Sequence, residues 1–226
     1  MSKKYYLVLD TETLADARVP YDVAWVILDR EGNVYEQYNA LVAEVLENET
    51  LRYLLKKDSF AKRTADFYLN DGHPTISPFE HIFCEFDYAL HVYDPVVVAY
   101  NAAFDVKVLN DYAKALIGMC FFSDEIEIWD LWNMSLNTVC DSSNYVRWCI
   151  DHGFFTEKGN ISCSAEAVYS YLFKDDNFKE DHTALSDCKI ESQILTKVFS
   201  RKKKLITEYC NPVFRQDVWK KRLKRK

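Results

Sequence analysis

Two periods of hydrophobic residues alternate along this chain. Residues 4–10, Lys-Tyr-Tyr-Leu-Val-Leu-Asp, are mostly apolar and predict a buried strand. Residues 22–29, Asp-Val-Ala-Trp-Val-Ile-Leu-Asp, predict a second strand. Arg30-Glu31-Gly32-Asn33 follows as a turn in which Gly32 or Asn33 can take a positive φ, and 34–42 predicts a third strand. Residues 22–42 therefore predict a hairpin. Pro95 to Ala99 is a short continuous apolar run, the pattern of a central strand covered on both faces. Residues 126–132, Ile-Glu-Ile-Trp-Asp-Leu-Trp, predict one more strand.

Between these runs the spacing lengthens to that of helices. Residues 44–70 are charged and weakly periodic, and predict helix up to the break at Asp71-Gly72-His73-Pro74. A helix is expected over 78–92 with Pro78 near its first turn. Another spans 103–117, with Phe104, Val108, Leu109, Tyr112 and Leu116 as its apolar positions. Short helices are expected over 144–152 and 164–173. A final amphipathic helix covers 184–200, with Leu185, Ile190, Ile194, Leu195 and Val198 as its stripe. Strands joined by helical connections imply an α/β layered domain. The expected division is one domain over 1–200, with 201–226 as a basic segment of that domain or a tail.

Composition narrows the class. A chain of 226 residues that is 49% hydrophobic and 15% aromatic can bury a core without staples. Its seven cysteines include no CxxC pair and are odd in number, which points to reduced thiols rather than a disulfide framework or a zinc knuckle. No apolar run reaches the ~18 residues of a membrane span. The apolar run after Lys3 and Lys4 is cut short by Asp10, which argues against a signal-peptide core. The expected address is the cytoplasm, or the host cytoplasm for a viral gene. Residues 1–200 hold 17 basic and 33 acidic side chains, whereas 201–226 hold 11 basic and 2 acidic. An acidic body with a basic end suits an enzyme whose carboxylates hold cations and whose basic segment touches a polyanion.

Three segments carry candidate chemistry. Asp10 and Glu12 are two positions apart at the end of the first predicted strand, so both carboxylates point to one face. Two acids at the buried end of a strand are costly without a compensating cation. Asn101-Ala-Ala-Phe-Asp105 lies where a buried strand passes into a helix, and open α/β sheets place ligands at such carboxyl ends. Asn101 reads equally as a helix cap. Asp105 falls in a first helical turn, where the helix dipole favours an acid. In Asp181-His182-Thr-Ala-Leu-Ser-Asp187, a loop histidine and a helical aspartate can face one cleft from different directions. Each segment alone has a structural explanation.

Taken in order, Asp-Thr-Glu-Thr at 10–13, Asn-Ala-Ala-Phe-Asp at 101–105 and His-Thr-Ala-Leu-Ser-Asp at 182–187 resemble the DEDDh 3′-to-5′ exonuclease family. That family includes the proofreading epsilon subunit of bacterial DNA polymerase III, RNase T and oligoribonuclease. The resemblance implies an RNase H-like fold, with a mixed central sheet flanked by helices. It also implies two divalent ions, Mg²⁺ or Mn²⁺, and catalytic roles for Asp10, Glu12, Asp105, His182 and Asp187. By the same analogy Asp10 bridges both ions, and Glu12 and Asp187 help hold the one that activates water. Asp105 serves the other, and His182 is the general base. Thr11, Thr13, Leu14, Asn101 and Phe104 become candidates for substrate binding. Leu14 is expected to wedge against the last base, and Thr13 or its backbone to bind sugar. Phe104 either stacks on a base or packs in the core, with packing favoured.

These roles agree with elementary chemistry. Two cations can stabilise both the attacking and the leaving oxygen of an in-line displacement, and oxygen ligands favour Mg²⁺ or Mn²⁺. An imidazole is suited to accept a proton near neutral pH. The expected substrate is the 3′ end of single-stranded nucleic acid, DNA slightly favoured. The alternatives are an RNA-trimming enzyme, or a proofreading or binding module that acts with a polymerase. A homodimer is compatible with the family, but no interface is readable. Residues 44–75 and 133–180 carry no motif.

Overall fold

The computed structural model describes residues 4–14, 18–57, 74–201 and 207–212. Six strands form one mixed sheet: β1 (Tyr5–Leu14), β2 (Val19–Asp29), β3 (Val34–Val42), β4 (Thr75–Ser77), β5 (Val96–Ala99) and β6 (Ile128–Asp130). Their spatial order is β4-β3-β2-β1-β5-β6. β1, β2 and β3 meander antiparallel. β5 lies parallel to β1, β6 parallel to β5, and the short β4 parallel to β3.

Strand parity divides the core in two. On one face Tyr6 and Val8 of β1 join Ala24, Val26 and Leu28 of β2 and Val96 and Val98 of β5. That face is covered by α5 (Leu131–Ser135), a π-helical turn (Leu136–Cys140), α6 (Ser143–His152), α7 (Ala165–Phe173) and α8 (Ala184–Arg201). On the other face Leu7, Leu9, Val23, Trp25, Ile27 and Val97 meet α3 (Phe79–Tyr93) and α4 (Ala102–Ile117). Here Trp25 stacks on Tyr38 with ring centroids 4.0 Å apart. The short α1 (Ala43–Glu47) and α2 (Glu49–Lys57) close this layer through Val45 and Leu55. The result is the α/β domain the pattern predicts. No disulfide forms among the seven cysteines, five of which are buried. No helix among the described residues is long and apolar enough to cross a membrane.

Several boundaries differ from the sequence reading. β1 runs four residues past Asp10, because Thr11 to Leu14 continue the ladder with β2. The expected strand over 126–132 is only Ile128–Asp130; the Asp130 side chain then accepts the Asn133 N–H and caps α5. The long helix expected over 44–70 is two short ones broken at Asn48, whose side chain accepts the Leu51 N–H, and its remainder from residue 58 lies outside the described residues. β4 was not anticipated: three residues of edge strand carry too little periodicity to read. The last described residues form α9 (Thr207–Cys210), whose Cys210 is buried in the core and whose Glu208 carbonyl accepts from Asn133 Nδ2. The Lys220–Lys226 run lies outside the described residues.

One turn ties the meander to α8. Asp29 Oδ1 accepts the backbone N–H groups of Glu31 and Asn33 at 3.0 and 2.9 Å. Gly32 in that turn has φ +90°, and a Cβ there would lie 3.0 Å from Thr196 Oγ1 of α8. Gly32→Ala therefore combines a disfavoured backbone with a clash against α8. It is expected to cost about 1–3 kcal/mol in urea denaturation. Unchanged stability would show that the close approach of turn and helix is incidental.

Candidate active site

Asp10 and Glu12 continue the parity of Tyr6 and Val8, so their side chains emerge on the face that α8 covers. In register, Asp10 lies opposite Ala24 and Glu12 opposite Asp22. The ladder then shifts between Glu12 and Thr13. A bulge of this kind reverses which face the following side chains take. Leu14 consequently joins Leu7 and Leu9 in the opposite core layer, 3% exposed. The Leu14 side chain, expected to wedge against a base, packs in the core here. Thr13 is half-buried just beyond the bulge.

Asp105 arrives from the other layer. β5 ends at Ala99, Asn101 turns the chain at φ 69°, and α4 begins at Ala102. Asn101 occupies the N-cap position without capping through its side chain. Its carbonyl accepts the Phe104 N–H at 2.9 Å and its N–H donates to Asp130 Oδ1 at 3.3 Å. Asparagine suits this position because it tolerates left-handed backbone. Asp105, 3% exposed in the first turn, accepts the Thr11 hydroxyl at 2.8 Å. Thr11 is itself buried, and its hydroxyl is engaged in fixing Asp105. A correction concerns Phe104: it is 40% exposed and belongs to neither core layer, so the favoured packing role does not hold.

α8 brings the third segment. His182 sits in left-handed backbone at φ 54° and is exposed, while Thr183 and Ala184 after it are fully buried. The Ala184 N–H donates to Asp22 Oδ2 at 3.0 Å, and Asp22 Oδ1 accepts Asn39 Nδ2. Cys188 Sγ donates to the Ala24 carbonyl at 3.3 Å. The residues opposite Glu12 and Asp10 on β2 therefore hold the start of α8, which sets His182 and Asp187 against β1. Glu12, His182 and Asp187 each offer a ligand atom, all within 4.8 Å of one another. Sequence reasoning missed Asp22, although an acid opening an otherwise apolar strand was a visible signal.

Electrostatics mark the cluster as incomplete. Burial pushes the Asp10 carboxyl well above the usual carboxylate range, and the charges of Glu191, Asp105, Asp187 and Glu12 push it further. Asp105 is raised to about 7 by burial, against the opposing hydrogen bond from Thr11. Asp187 is raised to about 9 by burial, then by Glu180 and Glu12. The buried Asp187 Oδ1 has no hydrogen-bond partner. Closely set carboxylates with an unused buried oxygen fit a divalent cation near Glu12 and Asp187, and the His182 imidazole lies within reach of the same position.

A pH dependence follows. The folded values of Asp105 and Asp187 lie above the ordinary carboxylate value, so the metal-free fold keeps protons that the unfolded chain gives up. Their contribution to stability is full at low pH and is lost as pH rises toward about 7 and about 9 respectively. Metal-free protein should lose melting temperature between pH 6 and 8.5 more steeply than Asp187→Asn. Mn²⁺ should stabilise the wild-type chain more at the higher pH, where fewer protons must be displaced. Parallel melting curves for the two proteins would contradict this reading.

No protein-family model and no curated protein sequence matches the chain. Solved structures do. Exonuclease X in complex with 5′ overhanging duplex DNA superposes with a TM-score of 0.51 at 16% identity, over 91% of this chain and 97% of that one. E. coli exonuclease I in complex with a dT13 oligonucleotide superposes with a TM-score of 0.59 at 15% identity, over 89% of this chain and 41% of that one. The zinc-bound form of the E. coli exonuclease I complex with single-stranded DNA gives 0.56 at 14% identity, over 90% and 42%. The chain thus spans about two fifths of the exonuclease I chains. The mixed sheet, its flanking helices and the cluster at the carboxyl end of β1 are carried on the fold of these exonucleases.

Proposed function

We propose that this chain is a divalent-metal-dependent exonuclease that removes nucleotides from the 3′ end of single-stranded nucleic acid, DNA in preference to RNA. The observation that carries this reading is the convergence of Glu12, His182 and Asp187 within 4.8 Å, beside the raised carboxyls of Asp10 and Asp105. The fold shared with exonucleases whose solved structures hold DNA supports the choice of substrate class.

In this reading Asp10, Glu12, Asp105 and Asp187 hold two cations, Mg²⁺ or Mn²⁺ by the preference of oxygen ligands. When bound, such ions would supply positive charge for the attacking and leaving oxygens. His182, exposed at the rim of the cluster, accepts the proton of the attacking water. The water oxygen bonds to phosphorus, the bond from phosphorus to the 3′ oxygen breaks, and that oxygen takes a proton as the terminal nucleoside monophosphate leaves. Phe104, exposed one residue before Asp105, offers a face on which a base stacks. Thr13, next to Glu12 on β1, and Asn101, at the turn from β5 into α4, would meet sugar and phosphate.

Digestion of 5′-labelled DNA and RNA oligonucleotides tests the proposal. A ladder shortening from the 3′ end, dependent on Mg²⁺ or Mn²⁺ and faster on DNA, is expected. Faster RNA trimming would reassign the substrate, and no cleavage by folded, metal-loaded protein would remove the activity. Asp10→Ala should abolish turnover while the protein stays folded. His182→Ala should lower kcat by ~10²–10⁴, the usual worth of a general base. Phe104→Ala should weaken binding of the 3′ end by about 1–3 kcal/mol, the usual worth of a stacked base. A Phe104 variant with unaltered KM and kcat would take that ring out of substrate binding.

A further inference from the structure

Glu191 is an acid that neither the motifs nor the proposed roles use. It lies on α8 four residues after Asp187, one helical turn along the same face. It is 3% exposed, and its Oε2 is buried without a hydrogen-bond partner. A backbone hydrogen bond from Tyr100, the residue after β5, reaches the same carboxyl. A carboxylate left in this condition is costly in a protein interior unless something nearby compensates it.

Its surroundings show where that compensation would come from. The residues flanking it on α8, Ile190 and Ser192, are buried, and Ile194 and Leu195 lie in the core beneath the sheet. The largest charge acting on Asp10 is that of Glu191, ahead of Asp105, Asp187 and Glu12. Acting on Glu191 in turn, the largest charges are those of Asp105, Asp187 and Glu180. Glu191 is therefore a buried acid one turn of α8 beyond Asp187, with an unpartnered oxygen, and its charge acts on Asp10. The set that converges on one ligand position is Glu12, His182 and Asp187 and does not include it.

We propose that Glu191 is a fifth carboxylate of the cation centre, a positioning residue whose charge strengthens the binding of divalent ions. This rests on the reading of the cluster as a cation centre. Burial, and then the neighbouring carboxylates, hold the Glu191 carboxyl above the usual carboxylate range; a divalent ion between the facing carboxylates would attract its charge and offset both. A polar group behind a ligand typically changes metal affinity by about 10–100-fold.

The test measures Mn²⁺ binding to the full chain by electron paramagnetic resonance of the free ion, for wild type, Glu191→Gln, Glu191→Asp and Asp10→Asn. Glu191→Gln keeps the shape and removes the charge. It should weaken Mn²⁺ binding by about tenfold or more, and its metal-free form should melt above wild type. Glu191→Asp keeps the charge and should bind Mn²⁺ near the wild-type level. Asp10→Asn should lose most binding. Wild-type affinity in Glu191→Gln, with Asp10→Asn impaired, would overturn the role of Glu191 alone and make it a neutral core residue. Equal weakening in Glu191→Gln and Glu191→Asp would assign the effect to packing and also overturn it. Wild-type affinity in Asp10→Asn would instead overturn the cation centre itself. Should Glu191→Gln fail to fold, Glu191→Asp at wild-type affinity supports the proposal, and its loss of affinity counts against it.

Discussion

The burial of closely set carboxylates is the constraint on which this structure turns. Asp10, Asp105 and Asp187 are all held above the ordinary carboxylate range, in each case first by burial. A protein interior does not gather such groups for stability, because each charge removed from water must be compensated. The fold supplies hydrogen bonds to some of them, Thr11 to Asp105 among others. It leaves oxygens of Asp187 and Glu191 buried without partners. A divalent cation is the compensation that fits this donor set, and the same cation suits the chemistry of phosphodiester cleavage.

The scaffold brings the acids together from three elements. β1 provides two of them by simple alternation, and the bulge after Glu12 ends the series by turning Leu14 into the opposite layer. β5 delivers Asp105 at the first turn of the helix that follows it. α8 is fixed at its start by Asp22 and along its length by Cys188, so His182 and Asp187 inherit their positions from β2. Asp22 is thus a structural acid beside the candidate site: both its oxygens accept hydrogen bonds, whereas those of the cluster do not all do so.

Much of this was legible in the sequence, for reasons specific to each element. The long apolar runs at 22–29 and 95–99 read as strands because burial on both faces leaves no other pattern. The stripe from Ile190 to Val198 read as a helix because its spacing is that of one face. Asp10, Glu12, Asp105, His182 and Asp187 stood out through residue type and order, and the structure gathers them at one end of β1. What escaped was whatever depends on a local irregularity or on a distant partner. The bulge that buries Leu14 has no residue signature, and the short β4 exists only because β3 offers an edge. Thr11 resembled a cleft residue until Asp105 appeared against it. Glu191 passed as one more polar position on an amphipathic helix, since nothing in its neighbours along the chain shows that its charge acts on Asp10.

Anomalous X-ray diffraction from crystals of the protein soaked in Mn²⁺ tests the cation centre most directly. Anomalous peaks are expected between Asp10, Glu12, Asp105 and Asp187, two of them separated by about 4 Å as in two-metal phosphoryl-transfer sites. A map with no peak at this cluster under saturating Mn²⁺, or with Mn²⁺ only elsewhere on the surface, would contradict it.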